Sequence, residues 1–84
     1  MEKITSLEQF QAVKGAGKDF VAITDKNLPK NCVHKTSCFE VKEYHFIQKV
    51  LTNGGKNGDY FFTDDYQKAI NVFAKMKACQ KCLG

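Results

Sequence analysis

The chain contains no tryptophan, no arginine and a single proline, and no apolar run approaches the length of a membrane span. Each absence excludes something. Every basic residue is a lysine, so bidentate guanidinium recognition of phosphates or guanine edges is unavailable. The longest plain apolar stretch, Phe20 to Ile23, is far below the roughly 20 residues a spanning helix needs. Residues 1–14 carry Glu2, Lys3 and Glu8 among the apolar positions, so they form no signal-peptide core. Without an export signal the expected compartment is the cytoplasm, and no membrane contact is expected. In that compartment thiols stay reduced, and grouped cysteines read as metal ligands before they read as disulfides.

What is present is one small domain, residues 1–84. With 84 residues and 43 % hydrophobic content the chain can form a core, though a thin one, and chains of this size often add a metal, disulfides or a partner surface. The 13 lysines against 9 acidic residues give a net charge of +4. They are spread along the chain without a polybasic block, which excludes a tail-like nucleic-acid arm.

Local pattern predicts a compact α+β domain, a small antiparallel sheet with two helices. Thr5 or Ser6 caps a short helix, Thr5 and Glu8 standing at capping-box spacing, with Leu7, Phe10 and Val13 on one face and Gly15 and Gly17 ending it. Phe20–Thr24 and Cys32–Lys35 read as strands, separated by a loop over 25–31 that contains Asn27 and Pro29. Residues 41–51 fit a helix face (Val41, Tyr44, Ile47, Leu51) and a strand face (Tyr44, Phe46, Val50) about equally. The turn cluster from Asn53 to Gly58, followed by the β-prone Tyr60-Phe61-Phe62, favours a hairpin of His45–Leu51 with Asp59–Thr63. Asp64 then caps a last helix, with Gln67 at the box position and a stripe of Tyr66, Ala69, Ile70, Phe73 and Met76.

Two short motifs carry chemistry. His34 and Cys38 form an H-x3-C, and Cys79 and Cys82 form a C-x2-C. Each pair can turn two soft or borderline donors toward one point, and together they supply the four ligands of a tetrahedral Zn²⁺. Such a site would staple a thin core. Cys32 is the alternative to His34, because on a strand the two share a face. Three thiolates would accept Fe²⁺ as well as Zn²⁺. Disulfides in an exported chain, or buried thiols acting as apolar filler, are the other readings of the cysteines.

The order His34, Cys38, Ala69, Cys79, Cys82 resembles small bacterial H-x3-C…C-x2-C zinc modules, and through them the metal-binding domain of Ada-type alkylation-repair proteins, whose motif is C-x3-C followed by C-x2-C. The resemblance covers roughly residues 31–83, the zinc-binding part. It implies a zinc fold with nucleic-acid association. It speaks against methyl transfer, because His34 stands where the family has its methyl-accepting cysteine. The interval between the pairs is also longer here, and arginine is absent.

Enzyme readings are thinner. A nucleophilic Cys32 or Cys38 would need His34 or His45 as a base held by a third group, and no such order is recognisable. A small nuclease could use His34 with Lys35, but not while His34 holds a metal. Glu40 and Glu43 read as solvated residues, and Asp64 and Asp65 as helix N-terminal charge. The leading expectation is a non-enzymatic binding module for DNA or RNA, with Lys35, Lys77 and Lys81 near the metal loops. The alternative is a protein-interaction module that uses the aromatic hairpin face of Tyr44, Phe46 and Tyr60 to Phe62.

Overall fold

A computed structural model describes residues 1–26 and 30–83. The domain is α+β, as the sequence predicts. The elements run β1 (Glu2–Lys3), α1 (Leu7–Ala16), β2 (Phe20–Ile23), β3 (Cys32–Lys35), α2 (Glu43–Phe46, continuing as a π-helical turn over Ile47–Thr52), β4 (Tyr60–Thr63), α3 (Tyr66–Val72) and β5 (Lys77–Ala78). The five strands form one sheet in the order β1-β4-β2-β3-β5. The sheet is mixed and not wholly antiparallel: β5 runs parallel to β3, pairing Cys32 with Lys77 and Val33 with Ala78. The expected loop residues Asn27 and Pro29 lie outside the described residues.

Helix α1 starts one residue later than the Thr5–Glu8 spacing predicts. Ser6 is the cap: its Oγ accepts from the Gln9 amide at 3.1 Å, and Gln9 Oε1 accepts from the Ser6 amide at 3.1 Å. The Gln9 carboxamide also accepts from the Thr5 amide at 2.8 Å, a return bond that gives Gln9 the box position over Glu8. Gly15 lies inside the helix, and Gly17, left-handed at φ 65°, ends it. The same one-residue shift occurs at α3, where Asp65 and not Asp64 caps by accepting from Gln67 N at 2.9 Å. The helix stops at Val72, so Phe73 and Met76 of the expected stripe reach the core from extended chain.

The predicted hairpin does not form. Residues 43–52 are helical, and only the Tyr60–Thr63 half of the pair is a strand. The turn opens to π winding, with the Asn53 amide donating to Gln48 O five residues back at 3.1 Å. A π turn carries about 4.4 residues, so its apolar positions fit neither the helical nor the strand template. Phe46, Ile47 and Val50 turn inward, while Tyr44 and Leu51 stay exposed. The expected aromatic face is likewise absent. Tyr60 and Phe62 pack into the core on one side of β4, and Phe61 packs at a tilt against Phe73, ring centres 4.8 Å apart, on the other. His45, expected on a strand, is an exposed helix residue.

Two half-cores sandwich the sheet. On one face α1 and α2 bring Phe10 and Phe46 into parallel stacking at 4.7 Å, with Tyr60 edge-on to Phe46 at 5.2 Å. On the other, Ala69 of α3 and Met76 of the chain after it pack with Ala22 and Val33. Alternation along β3 therefore puts Cys32 and His34 on the α1/α2 face, and Val33 and Lys35 on the α3 face.

Two outcomes test this architecture. Gly58 adopts φ 147°, and a Cβ there would overlap the Thr24 carbonyl, whereas Gly54 at φ 62° faces open space. Gly58→Ala is expected to cost about 2–3 kcal/mol in urea denaturation and Gly54→Ala about 1. Burial pushes the Tyr60 phenol up to about 12 from 10.0. Its neutral form is thus favoured by folding, and the stability present below pH 10 should fall by about 2–3 kcal/mol as pH rises toward 12. Tyr60→Phe should remove that part of the alkaline loss, read from urea midpoints across the window.

Candidate metal centre

The H-x3-C turn follows β3 directly. It is held by backbone bonds from Thr36 N to Asp19 O (3.0 Å) and from Cys38 N to Lys35 O (3.0 Å). The Lys14 ammonium, from the last turn of α1, donates to Thr36 O at 2.7 Å and to Cys38 O at 3.2 Å. Thr36 is fully buried, with its hydroxyl donating to Lys18 O at 2.9 Å, so the loop is clamped from both sides. The C-x2-C turn follows β5, where it is registered on the same strand. Cys79 N donates to Val33 O at 2.9 Å, and Lys35 N donates to Cys82 Sγ at 3.3 Å.

The result is a cluster of His34, Cys38, Cys79 and Cys82 with all four ligand atoms within 4.8 Å of one another. A tetrahedral ion with bonds of about 2.0–2.3 Å places its ligands about 3.3–3.8 Å apart, so a contraction of about 1 Å closes the shell. One atom makes the case for an ion beyond proximity. His34 is 7 % exposed, and its Nδ1 is buried with no hydrogen-bond partner among the described residues. A buried polar atom left unpaired costs about 1–3 kcal/mol, which a bound cation would remove. Three thiols with an imidazole are a suitable donor set, and the four residues could hold a metal ion.

Protonation favours the same reading. Burial lowers the His34 pKa, against a smaller opposing pull from Glu40, and so keeps the ring neutral and able to ligate. Burial acts to raise the Cys79 thiol, but the Lys81 and Cys82 amides and the neighbouring thiols donate to it, and the balance is a lowered pKa. Cys82 is pushed up, by burial first and then by its thiol neighbours, against the Lys35 amide. Cys32 is held up at about 11 by burial and then by Cys79 beside it, and it is not among the four grouped ligands. All four cysteines are free thiols.

Two clefts adjoin the cluster and meet at His34 and Glu40. The first, of about 390 Å³, is lined by Lys30, Lys77, Gln80 and Lys81. The second, of about 450 Å³, is lined by His45, Gln48, Lys49 and Asn53 from the α2 end. His34 lines both clefts. Lys77 and Lys81 therefore stand together as the sequence predicts, joined by Lys30, which sequence reasoning missed because 46 positions separate Lys30 and Lys77 along the chain until β5 pairs with β3. Lys35 stands apart: it pairs with Phe20 in the sheet, and Phe20 packs on Tyr66 of α3. Glu40 is not a freely solvated carboxylate, since Lys81 Nζ lies 2.7 Å from it. Comparison with protein-family models, curated proteins and solved structures finds no match for the chain.

Native mass spectrometry of the full chain is expected to show one bound divalent ion. His34→Ala and Cys79→Ser should lose it and Cys32→Ser should keep it. Chelation should lower Tm by more than about 10 °C in the parent and leave Tm of the two ligand variants unchanged.

Proposed function

We propose that this chain is a zinc-centred binding module without catalytic activity, and that its partner is nucleic acid. The observation that carries the reading is the cleft beside the His/Cys cluster with Lys30, Lys77 and Lys81 on its walls. Three lysines lining one concave strip, against a single carboxylate there, are a phosphate-binding arrangement. Lys81 is shared with Glu40, which fixes its position at the junction of the two clefts.

Zinc suits the donor set of three thiolates and one imidazole, and in a closed four-ligand site it is structural. A divalent ion with three thiolates leaves one net negative charge. The Lys35, Lys81 and Cys82 amides and the nearby Lys81 ammonium offset it. With His34 serving as a ligand, its ligating nitrogen is not available as a base, and a closed four-ligand site is usually structural, which favours a binding role over a nuclease or a Cys-nucleophile enzyme. The likeness of the four-residue order to Ada-type metal-binding domains points to the same class of partner, while the imidazole at position 34 speaks against methyl transfer. The protein-interaction alternative loses its surface with the absence of the hairpin.

Fluorescence anisotropy with labelled DNA and RNA tests this reading. The slope of log K against log salt should be about −2 to −3 for three phosphate contacts. Replacing Lys30, Lys77 and Lys81 by Gln should weaken binding at least tenfold and flatten that slope. Lys35→Gln, on the opposite sheet face, should change it little. Affinity that ignores both salt and the triple replacement would sink the nucleic-acid reading.

A further inference from the structure

The second cleft has a different chemistry from the first. Its walls carry carboxamides (Gln48 and Asn53), an imidazole (His45) and a lysine already engaged, since Lys49 Nζ donates to Thr24 O at 3.1 Å and lies 3.8 Å from Asp25. Asp25 lines this cleft and not the first, and with Lys49 beside it leaves the wall without an unpaired ammonium to hold a phosphate. A volume of about 450 Å³ is the size of a single small-ligand site.

The backbone is specialised at the same place. Residues 47–52 take the rare π winding, which recurs at functional sites, and Gln48, Lys49 and the capping Asn53 are the side chains it delivers to the cleft. Two large aromatic rings also stand in solvent beside the clefts. Tyr44 is 61 % exposed, with its ring 4.2 Å from that of His45. Phe39 is 63 % exposed, with Lys81 Nζ 5.3 Å from its centre. Exposed rings interleaved with ammonium groups are the stacking platforms of single-strand binders.

We propose that the two clefts form one track for single-stranded nucleic acid, in which phosphates follow Lys30, Lys77 and Lys81 and one unstacked base enters the pocket of Gln48, Asn53 and His45. Tyr44 stacks on the neighbouring base. This rests on the nucleic-acid reading above and adds to it the strandedness of the ligand and the base pocket. His34 lines both clefts, so the metal centre adjoins backbone track and base pocket alike.

The test uses the full, metal-loaded chain and labelled oligonucleotides of about ten residues, DNA and RNA, as single strands, as duplexes, and as single strands with an abasic position scanned along the length. The intact single strand should bind about tenfold or more tightly than the duplex, and one abasic position should weaken it about tenfold. Gln48→Ala with Asn53→Ala should weaken the intact strand by a similar factor and leave the abasic strand unaffected, metal stoichiometry reporting that the fold is kept. Equal, salt-dependent binding of single strand, abasic strand and duplex would overturn the base pocket and leave the lysine track standing. Absence of salt-dependent binding to every probe would overturn both.

Discussion

The parallel pairing of β5 with β3 is the constraint on which the rest of this molecule depends. It involves two residues on each strand, yet it brings together two ligand pairs that lie 41 positions apart from Cys38 to Cys79. Strand β3 then serves both turns: its end launches the H-x3-C, its Val33 carbonyl receives Cys79 N, and its Lys35 amide reaches Cys82 Sγ. A two-residue edge strand is too short to hold itself. Asn31 helps at its start by donating to Ala74 O at 2.8 Å and receiving Asp25 N at 2.9 Å, while Lys77 N donates to Asn31 O at 3.0 Å. A metal ion at the other end would close the same junction covalently, as expected of a thin core.

Much of this was legible from the residues alone, and the reasons differ by element. Strands β2 and β3 and the caps of α1 and α3 follow from local chemistry: β-prone runs, a hydroxyl or carboxylate before an apolar stripe, a glycine after it. The shift of each cap by one residue shows the limit of such patterns. Thr5 and Ser6, or Asp64 and Asp65, are chemically alike, and only the bonds actually made by Gln9 and Gln67 choose between them. The grouping of His34, Cys38, Cys79 and Cys82 was readable because turn spacing is local, even though the pairing of the turns is not.

What escaped sequence reasoning depends on distant partners. β1 and β5 have two residues each and no pattern of their own; they are strands because Phe61, Phe62, Cys32 and Val33 are beside them. Residues 47–52 escaped for another reason. Helix and strand templates assume periods of 3.6 and 2, and a π turn obeys neither, so a segment with mixed signals was drawn toward the β-prone chain that follows it. The clefts are the least local feature of all, since each is lined by elements from both halves of the chain.

The five cysteine and histidine side chains at the heart of the domain divide into four grouped ligands and one bystander, and the charge of the shell favours the imidazole among them. Cys32 and His34 lie on the same face of β3, so geometry alone offers both. Desolvation acts on them in opposite senses. It raises the Cys32 thiol to about 11, as it also raises that of the grouped Cys82, but it lowers the pKa of His34, whose neutral form is the ligating one. An imidazole can therefore enter a buried shell without adding a charge, and three thiolates already exceed the charge of a divalent ion by one. A fourth would double that excess inside a low-dielectric site. Selecting His34 over Cys32 keeps the shell closer to neutral and leaves the cationic cleft beside it with more of its own field.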